Sequence, residues 1–211
     1  LQDNTHIGWL TIPGYLADAA DRVYAAIVQG DSGRPTLKPI LRPYDTVGST
    51  RYVSFDTTKP VMLTDPAKCH ISHIVADTDT WEQKMADVLE SMDEVIRYVK
   101  NEGLGFTIPY SLDGQARSYI PDFIACIDDG HGPGDLLNLI VEVSGEAKRA
   151  KAIKVETAET FWVPAVNTHG GFGRWSFVQI VNPWNAASDI RGHLAKLDAT
   201  STPNSAAGQI V

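Results

Sequence analysis

The sequence predicts an α/β fold: a mixed central β-sheet flanked by helices. Three observations carry this. "DLLNLIVEVSG" (135–145) is a near-continuous apolar run, as in a strand covered on both faces. Upstream, "GFTIPYSLDGQARSYIPDFIACID" (105–128) reads as two strands around a turn at "DGQ". Segments of helical period stand on both sides of these strands. From the first of those segments onward the order is helix, strand, strand, strand, helix, strand, strand, which a layered sheet with packed helices accommodates.

Taken from the start, "LADAADRVYAAIVQ" (16–29) is an Ala-rich helix with Leu16, Ala20, Val23 and Ile27 on one stripe. "RYVSFDT" and "KCHISHIVAD" alternate in period two and suggest an antiparallel pair joined by "TKPVMLTDPA". Residues 1–75 form a lead-in region. The next segment runs as a helix from an N-cap at Asp79 or Thr80 to a stop at Gly103. Its stripe is Trp81, Met85, Val88, Met92, Val95 and Val99, widened by Leu89 and Ile96. After the strands, "EAKRAKAIKVETAETFW" (146–162) is a helix. "WVPAVN" and "RWSFVQI" are then strands about a hairpin at the glycine-rich "THGGFG". The core domain spans 76–195, and 196–211 is a C-terminal tail.

Composition narrows the class. The chain has 211 residues, 43% hydrophobic and 21% charged, the balance of a globular protein with a sizeable core. No apolar run reaches the roughly 18 residues that cross a bilayer, and no secretory signal is visible. Cys69 and Cys126 stand far apart and outside any CxxC pattern, as buried reduced thiols would, which places the protein in a reducing cytoplasm. A formal charge of −8 argues against non-specific coating of nucleic acid. It is compatible with a nucleic-acid enzyme, because carboxylates that hold a metal count as negative in the bare sequence.

Two carboxylates stand out. Asp122 follows Pro121 at the edge of one apolar run, and Glu142 sits inside the next. An acid within an apolar strand is costly to bury unless a cation or hydrogen bonds satisfy it. Side-chain alternation puts Ile140, Glu142 and Ser144 on one face of their strand. Two carboxylates from adjoining strands, with a carbonyl such as that of Val143, suit Mg²⁺. A structural carboxylate paired with arginine, or a strand end that is simply exposed, is the alternative for Glu142.

"YIPDFI…LIVEVSGEAK" resembles the core of the PD-(D/E)XK, or restriction-endonuclease-like, nucleases. "GSTRYVSFDT", "KCHISHIVADTDTWE", "YVKNEGLGFTIPY" and "WVPAVNTHGGFGRW" extend the likeness to the C-terminal region of type III restriction enzymes, over residues from about 45 to 180. The resemblance implies a restriction-endonuclease-like sheet and a Mg²⁺- or Mn²⁺-dependent endodeoxyribonuclease of a restriction system, acting in phage defence. Asp122, Glu142 and the Val143 carbonyl would hold the metal, with Glu82 of the preceding helix as a third carboxylate. It also implies double-stranded DNA as substrate, a helicase/ATPase region or subunit and a methyltransferase subunit as partners, and a dimer for double-strand cleavage. Serine replaces the family's usual lysine at 144. On a helical wheel Lys148 and Lys151 fall on the stripe of Val155, Ala158 and Trp162, while Lys154 lies round the side. Lys151 is therefore the expected relocated catalytic lysine, with Lys148 second. Glu90 and Glu94 fall with Asp87 and Arg97 on the solvated side of their helix.

Other patterns carry less. His70 and His73 of "CHISH" fall on opposite faces of a strand, a poor zinc set. No GxxxxGK[ST] occurs, so ATP would enter only through a motor region outside this chain. With the start at Leu1, this reads as the nuclease fragment of a larger motor-nuclease. The rival reading is a catalytically degenerate nuclease fold serving as a DNA-docking or assembly module, with Ser144 as its best argument. A carboxylate-pair glycosidase ranks below both, for want of aromatic residues clustered at the acids.

Overall fold

The structure is a computed structural model that describes residues 8, 11–29, 38–39, 48–75, 81–112, 115–144 and 149–201. In chain order, α1 (Pro13–Gln29) and the short strand β1 (Lys38–Pro39) lead to a 3₁₀ turn at Thr50–Tyr52, then β2 (Val61–Leu63) and β3 (His73–Val75). The helix α2 (Trp81–Ser91) is followed by five strands: β4 (Val95–Lys100), β5 (Ile108–Leu112), β6 (Gln115–Tyr119), β7 (Phe123–Ile127) and β8 (Leu137–Val143). A long helical stretch follows, with α3 (Arg149–Glu156), a π-helical segment (Thr157–Trp162) and α4 (Val163–His169), before β9 (Arg174–Ile180) and α5 (Ala186–Ser201).

The main sheet has the order β4-β7-β8-β9. Its first two pairings are antiparallel and β8–β9 is parallel, so the sheet is mixed as predicted. Burial explains why β8 is apolar throughout. Leu139 and Val141 join Phe123, Ala125 and Ile127 in a core with Met85 and Leu89 of α2 and Ile190 and Leu194 of α5. Ile140 points the other way, into a second core with Ile108, Tyr119, Ala158, Trp162 and Phe177. Helices thus cover both faces. The second core is extended by a ring cluster: Phe106 stacks on Trp175 at 5.5 Å, and Trp162 meets both edge-on. Among the described residues no helix is long and apolar enough to cross a membrane.

Several expectations are corrected. The single helix to Gly103 ends at Ser91, and "VIRYVK" is instead the edge strand β4. Its β-branched and aromatic residues suit a strand, and pairing with β7 satisfies their backbone. Lys68 marks the break, donating from Nζ to the carbonyls of Met92 (2.9 Å) and Val95 (2.5 Å). The N-cap candidates Asp79 and Thr80 lie outside the described residues. "WVPAVN" is helical, forming most of α4, and "THGGFG" is a helix-to-strand connection in place of a hairpin. Pro164 lacks the N–H a helix interior needs. The chain accommodates it just after a wide turn in which Val163 N–H reaches back to Ala158 O. Gly170, at φ 72°, then closes α4 in the left-handed conformation that glycine adopts without strain.

The antiparallel pair near the start exists, but its partners are "VML" and "HIV", with "RYVSFDT" outside it. "SYIPDFI" is broken at Pro121, so β6 belongs to a small β1-β5-β6 sheet while β7 belongs to the main one. In α1 the helix is as predicted, yet Leu16 and Val23 of its apolar stripe are exposed. Residues of the lead-in region join the main core through Cys69 and Ile74. At the other end α5 runs through residue 195 to Ser201.

Candidate active site

The site lies where β7 begins and β8 ends. Their register begins with Phe123 opposite Val141, so Asp122 is the residue just before the ladder and Glu142 the one just past its last pair. Pro121 interrupts the ladder, and Asn101 clamps the gap from the end of β4. Its N–H donates to Asp122 O (2.8 Å) and its Nδ2 to Pro121 O (3.0 Å). Asp122 Oδ2 in turn accepts the Val143 N–H at 2.8 Å, holding the carboxylate at the rim of β8. Asp122 and Glu142 thus lie near one corner of the sheet, and the Val143 group that meets Asp122 is its N–H, where the expected ligand is the carbonyl.

Glu142 is 7% exposed, within the apolar strand where an unsatisfied acid would be costly. Its partner is Tyr119, fully buried at the end of β6, whose Oη donates to Glu142 Oε2 at 2.6 Å. Burial pushes the Tyr119 hydroxyl far above the usual phenol range, and the charges of Glu142 and Asp122 push it further. The phenol therefore stays a donor, and both carboxylates act on it. Sequence reading missed Tyr119 because an aromatic at a strand position carries the same pattern as ordinary core.

Ser144 is 1% exposed, and its Oγ accepts from Gln179 Nε2 at 2.5 Å. Gln179 stands opposite Glu142 on β9. A neutral hydrogen bond therefore fills the position where the resembled family has its cation. The expected replacement, Lys151, lies on α3, but its side chain and the whole of Lys148 are outside the described residues.

Lys154, expected round the side, instead turns inward: its Nζ lies 5.6 Å from the centroid of the Tyr119 ring. The predicted stripe of Val155, Ala158 and Trp162 runs from the α-helix into the π-helical segment, where more residues per turn change the phase.

Glu82 stands in the first turn of α2, as expected, but its Oε2 is 2.6 Å from Lys100 Nζ. Lys100 is opposite Phe123, so it projects to the α2 side of the sheet, the face away from Ile140 and Glu142. Its Nζ also donates to Val75 O. The sequence hid this buried lysine because the strand that ends on it has a spacing that reads as helix. Glu90 is no solvated surface residue either, since it accepts from Tyr98 Oη (2.7 Å) and Asp65 N–H (2.8 Å). Glu94 lies beyond the helix and pairs with Arg191 at 2.6 Å.

Among the described residues no group of three or more His, Cys, Asp and Glu side chains is arranged to hold a metal. Asp122 and Glu142 offer two hard oxygen donors, which fits the one or two carboxylates that Mg²⁺ takes. At the opposite end of the sheet, Arg174 grips Asp129 through two 2.7 Å bonds and ties the start of β9 to the β7–β8 loop.

The chain matches no family profile, no curated protein and no solved structure.

Proposed function

We propose that this chain is a metal-dependent endonuclease domain that hydrolyses DNA phosphodiester bonds. One observation carries the reading: Asp122, just before β7, bonds the N–H of Val143, the neighbour of Glu142 at the end of β8, and both carboxylates act on the Tyr119 hydroxyl. The order α2, β4, β7, β8, α3 and β9, with β8 and β9 parallel, supports a restriction-endonuclease-like fold. Mg²⁺ or Mn²⁺ would be held by Asp122 and Glu142 with the Val143 carbonyl. When bound, such an ion lowers the pKa of a water and offsets charge on the scissile phosphate and leaving oxygen.

The protein's own part is to fix the two carboxylates and bring a cation to the attacking water. A lysine of α3 is the source of that cation, in the place of Ser144. The same helix carries Arg149, Lys151 and Lys154 against the single acid Glu156, a basic segment in an acidic chain. Basic side chains of this kind serve the backbone of double-stranded DNA. In this reading a helicase/ATPase region and a methyltransferase subunit supply targeting, ATP acts only through that motor, and a second copy cuts the second strand.

The test is a supercoiled-plasmid assay with Mg²⁺ or Mn²⁺, with and without a motor subunit. Nicked product that disappears with EDTA and in Asp122→Ala is expected. Equal product from Asp122→Ala would remove the site. The Ser144–Gln179 hydrogen bond favours a second reading, a degenerate nuclease fold that docks on DNA. That module would bind no Mn²⁺ at Asp122 and Glu142.

A further inference from the structure

We propose that Tyr119 is the positioning residue for Glu142, and that Lys154, carried over the Tyr119 ring, is the cation that replaces the lysine missing at 144. The inference rests on the endonuclease reading and adds the two groups that reading leaves unassigned.

Tyr119 does not belong to the main sheet; it ends the β5–β6 hairpin. A phenylalanine would fill the same buried space, and a buried hydroxyl is costly without a partner. Its partner is the buried carboxylate, at 2.6 Å. A charge-assisted hydrogen bond of that length fixes the plane of the carboxylate and hence the direction in which it presents its oxygens. Outer partners of ligating groups orient them in this way.

Lys154 reaches the same group from the helix. Its Nζ is 5.6 Å from the ring centroid, within the range in which an aromatic face attracts an ammonium. The residue is half-buried, so its stem lies along the helix face that covers Tyr119. The slot at Ser144 is closed by Gln179, so a cation must arrive from outside β8. The hairpin thereby joins the site: one side chain holds Glu142 by its hydroxyl and Lys154 by its ring.

The experiment uses the full chain and two readouts, binding of Mn²⁺ alone followed by the paramagnetic resonance of the free ion, and Mn²⁺-dependent plasmid nicking. Tyr119→Phe keeps the ring and should weaken Mn²⁺ binding about 10-fold, with a lowered urea midpoint because the buried Glu142 carboxylate loses a donor. Lys154→Met should leave Mn²⁺ binding intact but slow nicking about 100-fold, and Lys154→Arg should restore most of the rate. Loss of rate without loss of metal is a split that a purely structural lysine would not produce.

Wild-type affinity in Tyr119→Phe overturns the positioning role while leaving the metal site standing. Wild-type nicking in Lys154→Met, or a wild type that binds Mn²⁺ and never nicks even with the motor subunit present, overturns the role of Lys154. A wild type that binds no Mn²⁺ sinks the metal site and this inference with it. Should Tyr119→Phe fail to fold, the Lys154→Met and Lys154→Arg pair decides the cation, and 3-fluorotyrosine in place of Tyr119, which keeps the ring and makes the hydroxyl a stronger donor, decides the positioning: a shift in Mn²⁺ affinity is expected and wild-type affinity overturns it.

Discussion

Lys100 and Glu82 offer the sharpest energetic test, because two roles for one carboxylate predict different numbers. The Lys100 side chain is 7% exposed and that of Glu82 18%, with Nζ and Oε2 2.6 Å apart. Lys100→Met keeps the stem's volume and leaves the Glu82 carboxylate without its lysine in a poorly hydrated place. Breaking a buried pair from one side costs about 3–5 kcal/mol, a large part of the roughly 5–15 kcal/mol that holds a domain together. The double variant Lys100→Met/Glu82→Leu removes both charges and should recover much of that loss. A urea double-mutant cycle measures the coupling, expected near the upper part of the about 0.5–3 kcal/mol seen for residues in contact. Mn²⁺ titration of Glu82→Gln completes the test, and should match wild type if Glu82 serves Lys100. A Lys100→Met cost under about 1 kcal/mol, the range of exposed pairs, would refute the buried-pair reasoning. A Glu82→Gln loss of Mn²⁺ equal to that of Glu142→Gln would return Glu82 to the metal.

Three further outcomes are expected. Asp122→Asn retains an acceptor for the Val143 N–H and should unfold at the wild-type urea concentration while losing Mn²⁺-dependent nicking; Asp122→Ala should lose both nicking and about 1–3 kcal/mol, because that N–H is left without its partner. His193, whose Nε2 is 2.7 Å from Ser176 Oγ, is held below its ordinary 6.5 mainly by burial. A depressed pKa means that its contribution is complete above pH 6.5 and is lost as pH falls from there through the folded value. Stability of the wild type should decline over that window, and His193→Gln should flatten the slope in urea melts; an unchanged slope would clear His193 of the effect. Gly170→Ala forces a Cβ into the left-handed conformation at φ 72° and should cost about 1–2 kcal/mol, read as a lower melting temperature. An unshifted melt would mean that the α4–β9 connection relaxes.

What could be read from the sequence divides along a physical line. The strand β8 was legible because burial on both faces demands an apolar run of strand length, and Glu142 was legible because it violates that run. Pro121 and Asp122 were legible for the reason that a proline at a strand edge announces where the ladder stops. The strand β4 was not, because Val95 and Val99 are four apart and continue the stripe of Met85, Leu89 and Met92; only β7, far along the chain, decides in favour of a strand. "WVPAVN" failed from the opposite side: β-branched residues and a proline favour extended backbone, and the wide π turn that admits the proline depends on packing around Trp162. The same turn misled the helical wheel and hid Lys154. The candidate site therefore divides into groups whose chemistry conflicts with their surroundings and groups whose chemistry agrees with them. Asp122 and Glu142 are of the first kind. Tyr119 is of the second: its ring satisfies the core while its hydroxyl serves the carboxylate, and only the three-dimensional arrangement separates the two uses.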